Sequence, residues 1–125
     1  MKTAEYVFTY FKSEKEDGEQ VYFAVSKDGL FWTEINAGKP VLTSRVGMKG
    51  VRDPFPLQNP KTGMYYVIAT DLKIGKAGDW KAARMQGSTG FLVWESKDLE
   101  QWSQARLCPV NIPESGCIWA PEAVY

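Results

Sequence analysis

Ser26-Lys27-Asp28-Gly29-Leu30-Phe31-Trp32 returns in outline as Ser96-Lys97-Asp98-Leu99-Glu100-Gln101-Trp102, with the two tryptophans 70 residues apart. An apolar run precedes each copy, Val21-Tyr22-Phe23-Ala24-Val25 and Gly90-Phe91-Leu92-Val93-Trp94-Glu95. Ser and Asp side chains bond backbone amides and hold a turn. The Trp that follows is expected to bury its ring beneath the turn and anchor one sheet against the next. Trp32 and Trp102 are therefore read as structural rather than ligand-stacking. A second pair falls at nearly the same interval: Asp53 in Asp53-Pro54-Phe55 and Glu122 in Pro121-Glu122-Ala123, 69 apart. Two chance turn matches would not share both the offset and the strand order.

Working outward, Tyr6-Val7-Phe8-Thr9-Tyr10-Phe11 is aromatic and β-branched, a strand signal. The charged stretch 12–19, with Asp17-Gly18 as its turn, joins it to residues 21–25 as a hairpin. A short strand through Ile35 follows, then an irregular loop from 36 to 50 punctuated by Gly38, Pro40, Gly47 and Gly50. In Val51-Arg52-Asp53-Pro54-Phe55-Pro56-Leu57, prolines two apart forbid a helix and forbid regular pairing on one edge. Asn59 to Gly63 is a turn, and Met64 to Thr70 a buried strand. Residues 71–88 form a long connection with one short helix at Asp79–Met85, and 105–107 a last short strand. The fold class is all-β. Each period holds about four strands, the content of a β-propeller blade, although ~70 residues exceeds the ~40–50 of common propeller repeats. Residues 53–107 make one complete four-stranded blade. Residues 6–35 supply three strands of a preceding, partial blade, and 119–125 the inner strand of a following one. In this arrangement the long loops (12–19, 36–52, 71–88, 108–118) share one face, where function is usually carried.

Composition narrows the chemistry. The chain has 125 residues, 44% of them hydrophobic and 24% charged, which is one ordinary globular domain by length. Fifteen Lys and Arg balance fifteen Asp and Glu, which argues against a nucleic-acid partner. No apolar run approaches the ~20 residues that cross a bilayer, so no membrane partner is expected. The Met1–Glu5 start carries no leader pattern. The protein either stays in the cytoplasm or belongs to a periplasmic or secreted parent whose export signal was removed. With no histidine, Ser-His-Asp and Cys-His chemistry and His-ligated zinc are excluded. Cys108 and Cys117 are nine apart, too far for a redox C-x-x-C and too few for a zinc cluster. They are read as small apolar residues, with a disulfide open only to an exported protein. No metal and no cofactor are expected.

What remains is carboxylates. Asp53 and Glu122 each sit where an inner strand begins, on the loop-rich face, so acids from successive blades would converge there. Two carboxylates flanking a sugar bond are the working parts of a glycosidase. The plainer alternative is that Asp before Pro caps a turn. Arg52 is read as a packing charge able to pair with a nearby acid, or as a substrate ligand. For Trp119, stacking on a sugar face and a core role are both open. Trp80 is the best candidate for an exposed aromatic, within a loop whose Lys73, Lys76, Lys81 and Arg84 read as solvated.

Arg52-Asp53-Pro54-Phe55, the strand and turn from Trp94 to Trp102, and Trp119-Ala120-Pro121-Glu122-Ala123 together resemble the opening third of family 43 glycoside hydrolases. These are five-bladed β-propellers acting on arabinose- and xylose-containing plant polysaccharides. The resemblance runs from about Tyr6 to Tyr125. It implies that Asp53 is the general base of an inverting hydrolysis and that Glu122, where many relatives carry Asp, lines the substrate pocket. The family's general acid and the Asp that tunes it lie on later blades, and its metal-holding His has no counterpart in this chain. The chain is thus expected to be a fragment, inactive alone. Its open strand edges should pair with another copy or with a missing C-terminal part. The alternatives are a non-catalytic carbohydrate-binding β-domain and a β-sandwich interaction domain, the latter predicting two stacked sheets rather than a radially ordered blade.

Overall fold

The computed structural model describes residues 4–76 and 78–125. The Met1–Thr3 start, read above for a leader, lies outside them. The described residues are all-β apart from one short helix and one 3-10 turn. β1 (Tyr6–Tyr10), β2 (Tyr22–Ser26) and β3 (Thr33–Glu34) form an antiparallel sheet in that order. β4 (Val51–Gln58), β5 (Tyr65–Asp71), β6 (Gly90–Ser96) and β7 (Arg106–Pro109) form a second, again in chain order. The helix α1 (Trp80–Met85) begins at Asp79, whose carboxylate accepts the Ala82 N–H at 2.9 Å. No helix among the described residues is long and apolar enough to cross a membrane. Cys108 and Cys117 are both free thiols.

The strand chemistry explains the sheet edges. Pro54 and Pro56 lack N–H groups that would have pointed to one side of β4. β4 is accordingly an edge strand that pairs only with β5. Its register slips between Arg52 and Phe55, a β-bulge that holds Asp53 and Pro54. The inner strand therefore starts two residues before Asp53. One expected strand is absent: residues 119–125 belong to no strand. A strand is defined by its ladder, and this segment has none to join among the described residues.

The repeated turn is built twice from the same bonds. Ser26 Oγ accepts the N–H groups of Asp28 and Gly29 and donates to Asp28 Oδ1, which accepts the N–H groups of Leu30 and Phe31. Ser96 and Asp98 repeat this set with Leu99, Glu100 and Gln101. The backbone N–H of Phe31, then that of Leu30, holds the Asp28 carboxyl below its usual range. Gln101 and then Glu100 do the same for Asp98. Gly29 adopts φ 76°, and Leu99 takes the equivalent place at φ 67° without a glycine's freedom.

The sheets stack face to face. Phe23 of the first, and Val21 just before β2, meet Val51, Val67, Ala69, Leu92 and Trp94 of the second, with Leu42 from the intervening loop. Trp102 closes this core as expected. Its indole N–H donates to the Leu99 carbonyl at 3.1 Å, and its ring stands edge-on to Phe23, 5.7 Å between centroids. Trp32 does not follow. It is 42% exposed and lies against Phe8, 5.4 Å away, on the outer face of the first sheet. The register accounts for the difference. Tyr6 pairs with Ser26 as Tyr65 pairs with Ser96, so Phe8 and Tyr10 match Val67 and Ala69, and Tyr22 and Ala24 match Leu92 and Trp94. In the second sheet that face is covered by the first; in the first sheet no further sheet among the described residues covers it, and although Tyr22 and Ala24 are buried by their neighbours, Phe8 is 51% exposed.

Trp102→Ala should destabilise the domain by about 3 kcal/mol or more, the range for emptying an aromatic site in a core. Trp32→Ala should change stability by less than about 1 kcal/mol, as for other surface changes. Urea unfolding of both variants checks the contrast. Because the folded-state pKa values of Asp28 and Asp98 are depressed, their stabilisation is full above the ordinary aspartate value of 3.8 and disappears as pH falls through the folded values. The melting temperature should drop on acidification below about pH 4, and Asp28→Asn/Asp98→Asn should flatten that part of the curve.

Candidate active site

The long loops meet where β4 begins, and a buried carboxylate joins them. Glu19, only 4% exposed, accepts the Arg52 guanidinium at 3.1 Å and the N–H groups of Ile74 and Gly75 at 2.9 and 3.0 Å. Its own carbonyl accepts the Val51 N–H. One residue of the 12–19 loop thus fixes both the entry to β4 and the chain leaving β5. Arg52 also pairs with Glu14 at 3.1 Å, and the Glu14 carboxyl lies below its ordinary value, held there by a backbone N–H first and Arg52 second. The guanidinium rests over the rings of Phe11 and Trp80, 4.5 and 5.1 Å from their centroids. Arg52 is thus paired with two acids and packed on two rings.

Asp53 follows Arg52 in the bulge. Its backbone is left-handed at φ 49°, unusual for a residue with a Cβ, and it lies exposed. One carboxylate oxygen, Oδ2, accepts the Thr70 hydroxyl at 3.0 Å. Thr70 is wholly buried, and its oxygen in turn accepts the Ala120 N–H at 2.7 Å. Asp53 and the Trp119-Ala120-Pro121-Glu122 segment, 67 residues apart between Asp53 and Ala120, are therefore tied to one hydroxyl. Glu122 itself is exposed and makes no hydrogen bond or ion pair among the described residues. Trp119 is half-buried against Leu72, Ile74 and Ala83, with its ring edge-on to Trp80 at 6.2 Å. Trp80 is 40% exposed and borders an open cleft with Glu14, Lys15, Gly75 and Lys76.

Beside Thr70, Asp71 points to the other face of the sheet and is buried. Its Oδ1 accepts the Met48 N–H at 2.8 Å, and Oδ2 has no partner. Gly47, at φ 57°, lies so close that a Cβ would overlap this carboxylate. Asp71 thereby holds the loop that leads into β4. Among the described residues no group of three or more His, Cys, Asp or Glu could hold a metal ion.

The sequence alone does not single out Thr70, Asp71, Glu14, Glu19 or Phe11. Glu19 lies within a charged run, and Thr70 and Asp71 end an apolar strand. The one available signal is a polar pair, Thr70-Asp71, closing a run of buried residues, where each polar group needs a partner.

The model for the glycosyl hydrolase 43-related family, described as "Probable glycosyl hydrolase domain", matches residues 2–125. The chain belongs to this family. It is also 34% identical over 127 residues to an alpha-L-arabinofuranosidase of Bifidobacterium longum subsp. longum, covering 96% of this chain and 12% of that protein. The chain thus spans about an eighth of the length of this relative. No solved structure matches significantly.

Removing Glu19 would leave the Ile74 and Gly75 N–H groups without their acceptor and take from Arg52 its buried partner, with only the exposed Glu14 remaining. Glu19→Ala in this glycosyl hydrolase 43-related domain should therefore cost about 3–5 kcal/mol. Glu14→Ala, on the exposed side of the same guanidinium, should leave the urea midpoint nearly unchanged.

Proposed function

We propose that this domain supplies the general-base half of a glycosidase active site, on the opening blades of a five-bladed β-propeller. Asp53 is the base. The observation that carries the reading is an exposed carboxylate, oriented by a buried hydroxyl, in a bulge of an edge strand within a family 43-related domain. Asp53 takes a proton from a water that attacks the anomeric carbon. A second carboxyl group, about 6.5–9.5 Å away, gives a proton to the leaving oxygen, and the configuration inverts. That acid is assigned to sequence outside residues 1–125, in keeping with a relative about eight times as long. The substrates are arabinose- or xylose-containing polysaccharides. The arabinose part rests on the relative's name, alpha-L-arabinofuranosidase. Glu122, Trp119 and Trp80 border the sugar, with Arg52 as the charge that fixes the loop around it.

The propeller reading has its own support. The outer face of the first sheet carries the counterparts of residues that the second sheet buries against a neighbouring sheet. A further sheet, from the remainder of the parent or from another copy, would complete the same packing on Phe8, Tyr10 and Trp32. The competing reading, a carbohydrate-binding domain without catalysis, draws on exposed aromatic rings, Trp80 foremost.

In the active protein that carries these residues, Asp53→Asn should lower kcat for an aryl arabinofuranoside or xyloside by about 10²–10⁴-fold, the range for losing a general base. Trp80→Ala should act mainly on KM. Residues 1–125 alone should release no arabinose or xylose. Retained kcat in Asp53→Asn, with sugar binding lost in Trp80→Ala, would favour the binding domain instead.

A further inference from the structure

The Thr70 hydroxyl has one proton and two lone pairs. It uses the proton on Asp53 Oδ2, at 3.0 Å, and a lone pair on the Ala120 N–H, at 2.7 Å. The roles cannot be exchanged, because a carboxylate only accepts and an amide N–H only donates. Both partners sit in the left-handed region, Asp53 at φ 49° and Ala120 at φ 48°. Non-glycine residues persist there only where the surroundings over-determine them. The Thr70 side chain is itself wholly buried, with its Cα opposite Arg52 in the β4–β5 ladder. Arg52 is anchored by Glu19, so the hydroxyl stands on a fixed base.

We propose that Thr70 is a positioning residue, one that sets the Asp53 carboxylate and the 119–122 segment against each other. The proposal rests on the reading of Asp53 as general base. A carboxylate turns readily about its last side-chain bond. The bond from Thr70 stops that rotation and engages Oδ2, which leaves Oδ1 as the oxygen for the attacking water. Among the described residues Oδ1 accepts no hydrogen bond. Through the second bond, any shift of Ala120-Pro121-Glu122 is felt at Asp53, and the substrate-facing segment and the base move as one unit.

Two readouts test this. In residues 1–125, amide exchange followed by NMR should be faster at Ala120 by about tenfold or more in Thr70→Val, which keeps the shape and removes the hydroxyl. Thr70→Ser should hold it near the parent rate. In the active protein, Thr70→Val should lower kcat by roughly 10–100-fold at nearly constant KM, and Thr70→Ser should restore it. Should Thr70→Val not fold, Asp53→Gly serves, since glycine adopts this backbone freely. The Thr70 hydroxyl proton should be protected and visible in the parent and lost from the spectrum in Asp53→Gly. An unchanged Ala120 exchange rate with unchanged kcat in Thr70→Val, or an unchanged hydroxyl signal in Asp53→Gly, overturns the proposal. If either result accompanies an inactive Asp53→Asn, the positioning role fails and the base survives. Full activity in Asp53→Asn removes the base, and the positioning role with it.

Discussion

The packing of one sheet on the other holds this domain together. Phe23 and Val21 enter a surface made by Val67, Ala69, Leu92 and Trp94, and Trp102 stands edge-on across the seam. A three-stranded hairpin sheet with a two-residue third strand is marginal in water. Burial of the shared face, at roughly 25 cal/mol per Å² of apolar area, is the main stabilising term available to both. The hydrogen bonds of the Ser-Asp turns add shape rather than much energy, since they replace bonds to water. They fix where each strand begins, and so which side chains reach the seam.

With the sheets locked, the loops at one end have a rigid platform, and the buried charge of Glu19 organises them. A carboxylate there is tolerated because three donors surround it, one charged and two from the backbone. The arrangement couples β4 to the exit of β5 in one geometry, because each bond has a direction. Asp71 does the same on the opposite face for the loop before β4. Asp53 lies between these two anchors, in a bulge, at a backbone angle that regular pairing would not allow. The strain there is held by its neighbours, as is common where a side chain must be aimed rather than packed.

Much of this is legible in the chain. The strands follow from runs of aromatic and β-branched residues, and the edge position of β4 from Pro54 and Pro56. The helix follows from the stretch after Asp79. The turn bonds are implied by Ser and Asp at matching places. What is not legible depends on contacts that no local pattern encodes. Trp32 and Trp102 occupy the same position in the repeat, yet one closes a core and the other faces outward, because burial depends on whether a second sheet lies over it. Thr70 is an ordinary strand residue until its two partners are known. Glu19 looks like any acid in a polar loop. The 119–125 segment reads as a strand but lacks a ladder.

The two acids marked by the repeat are not equivalent in the folded chain. Asp53 is oriented through Thr70 and backed by an anchored strand, whereas Glu122 has no bond among the described residues to orient it. A general base must be within hydrogen-bond reach of one proton, in one geometry. A group that lines a sugar pocket can adjust to its ligand. On the proposed reading of Asp53 and Glu122, this asymmetry suits a division of labour in which the fixed acid handles the proton and the free one meets the substrate. The repeat duplicates the place of the carboxylate, but only one copy has the buried hydroxyl, the bulge and the ion pair that hold it still.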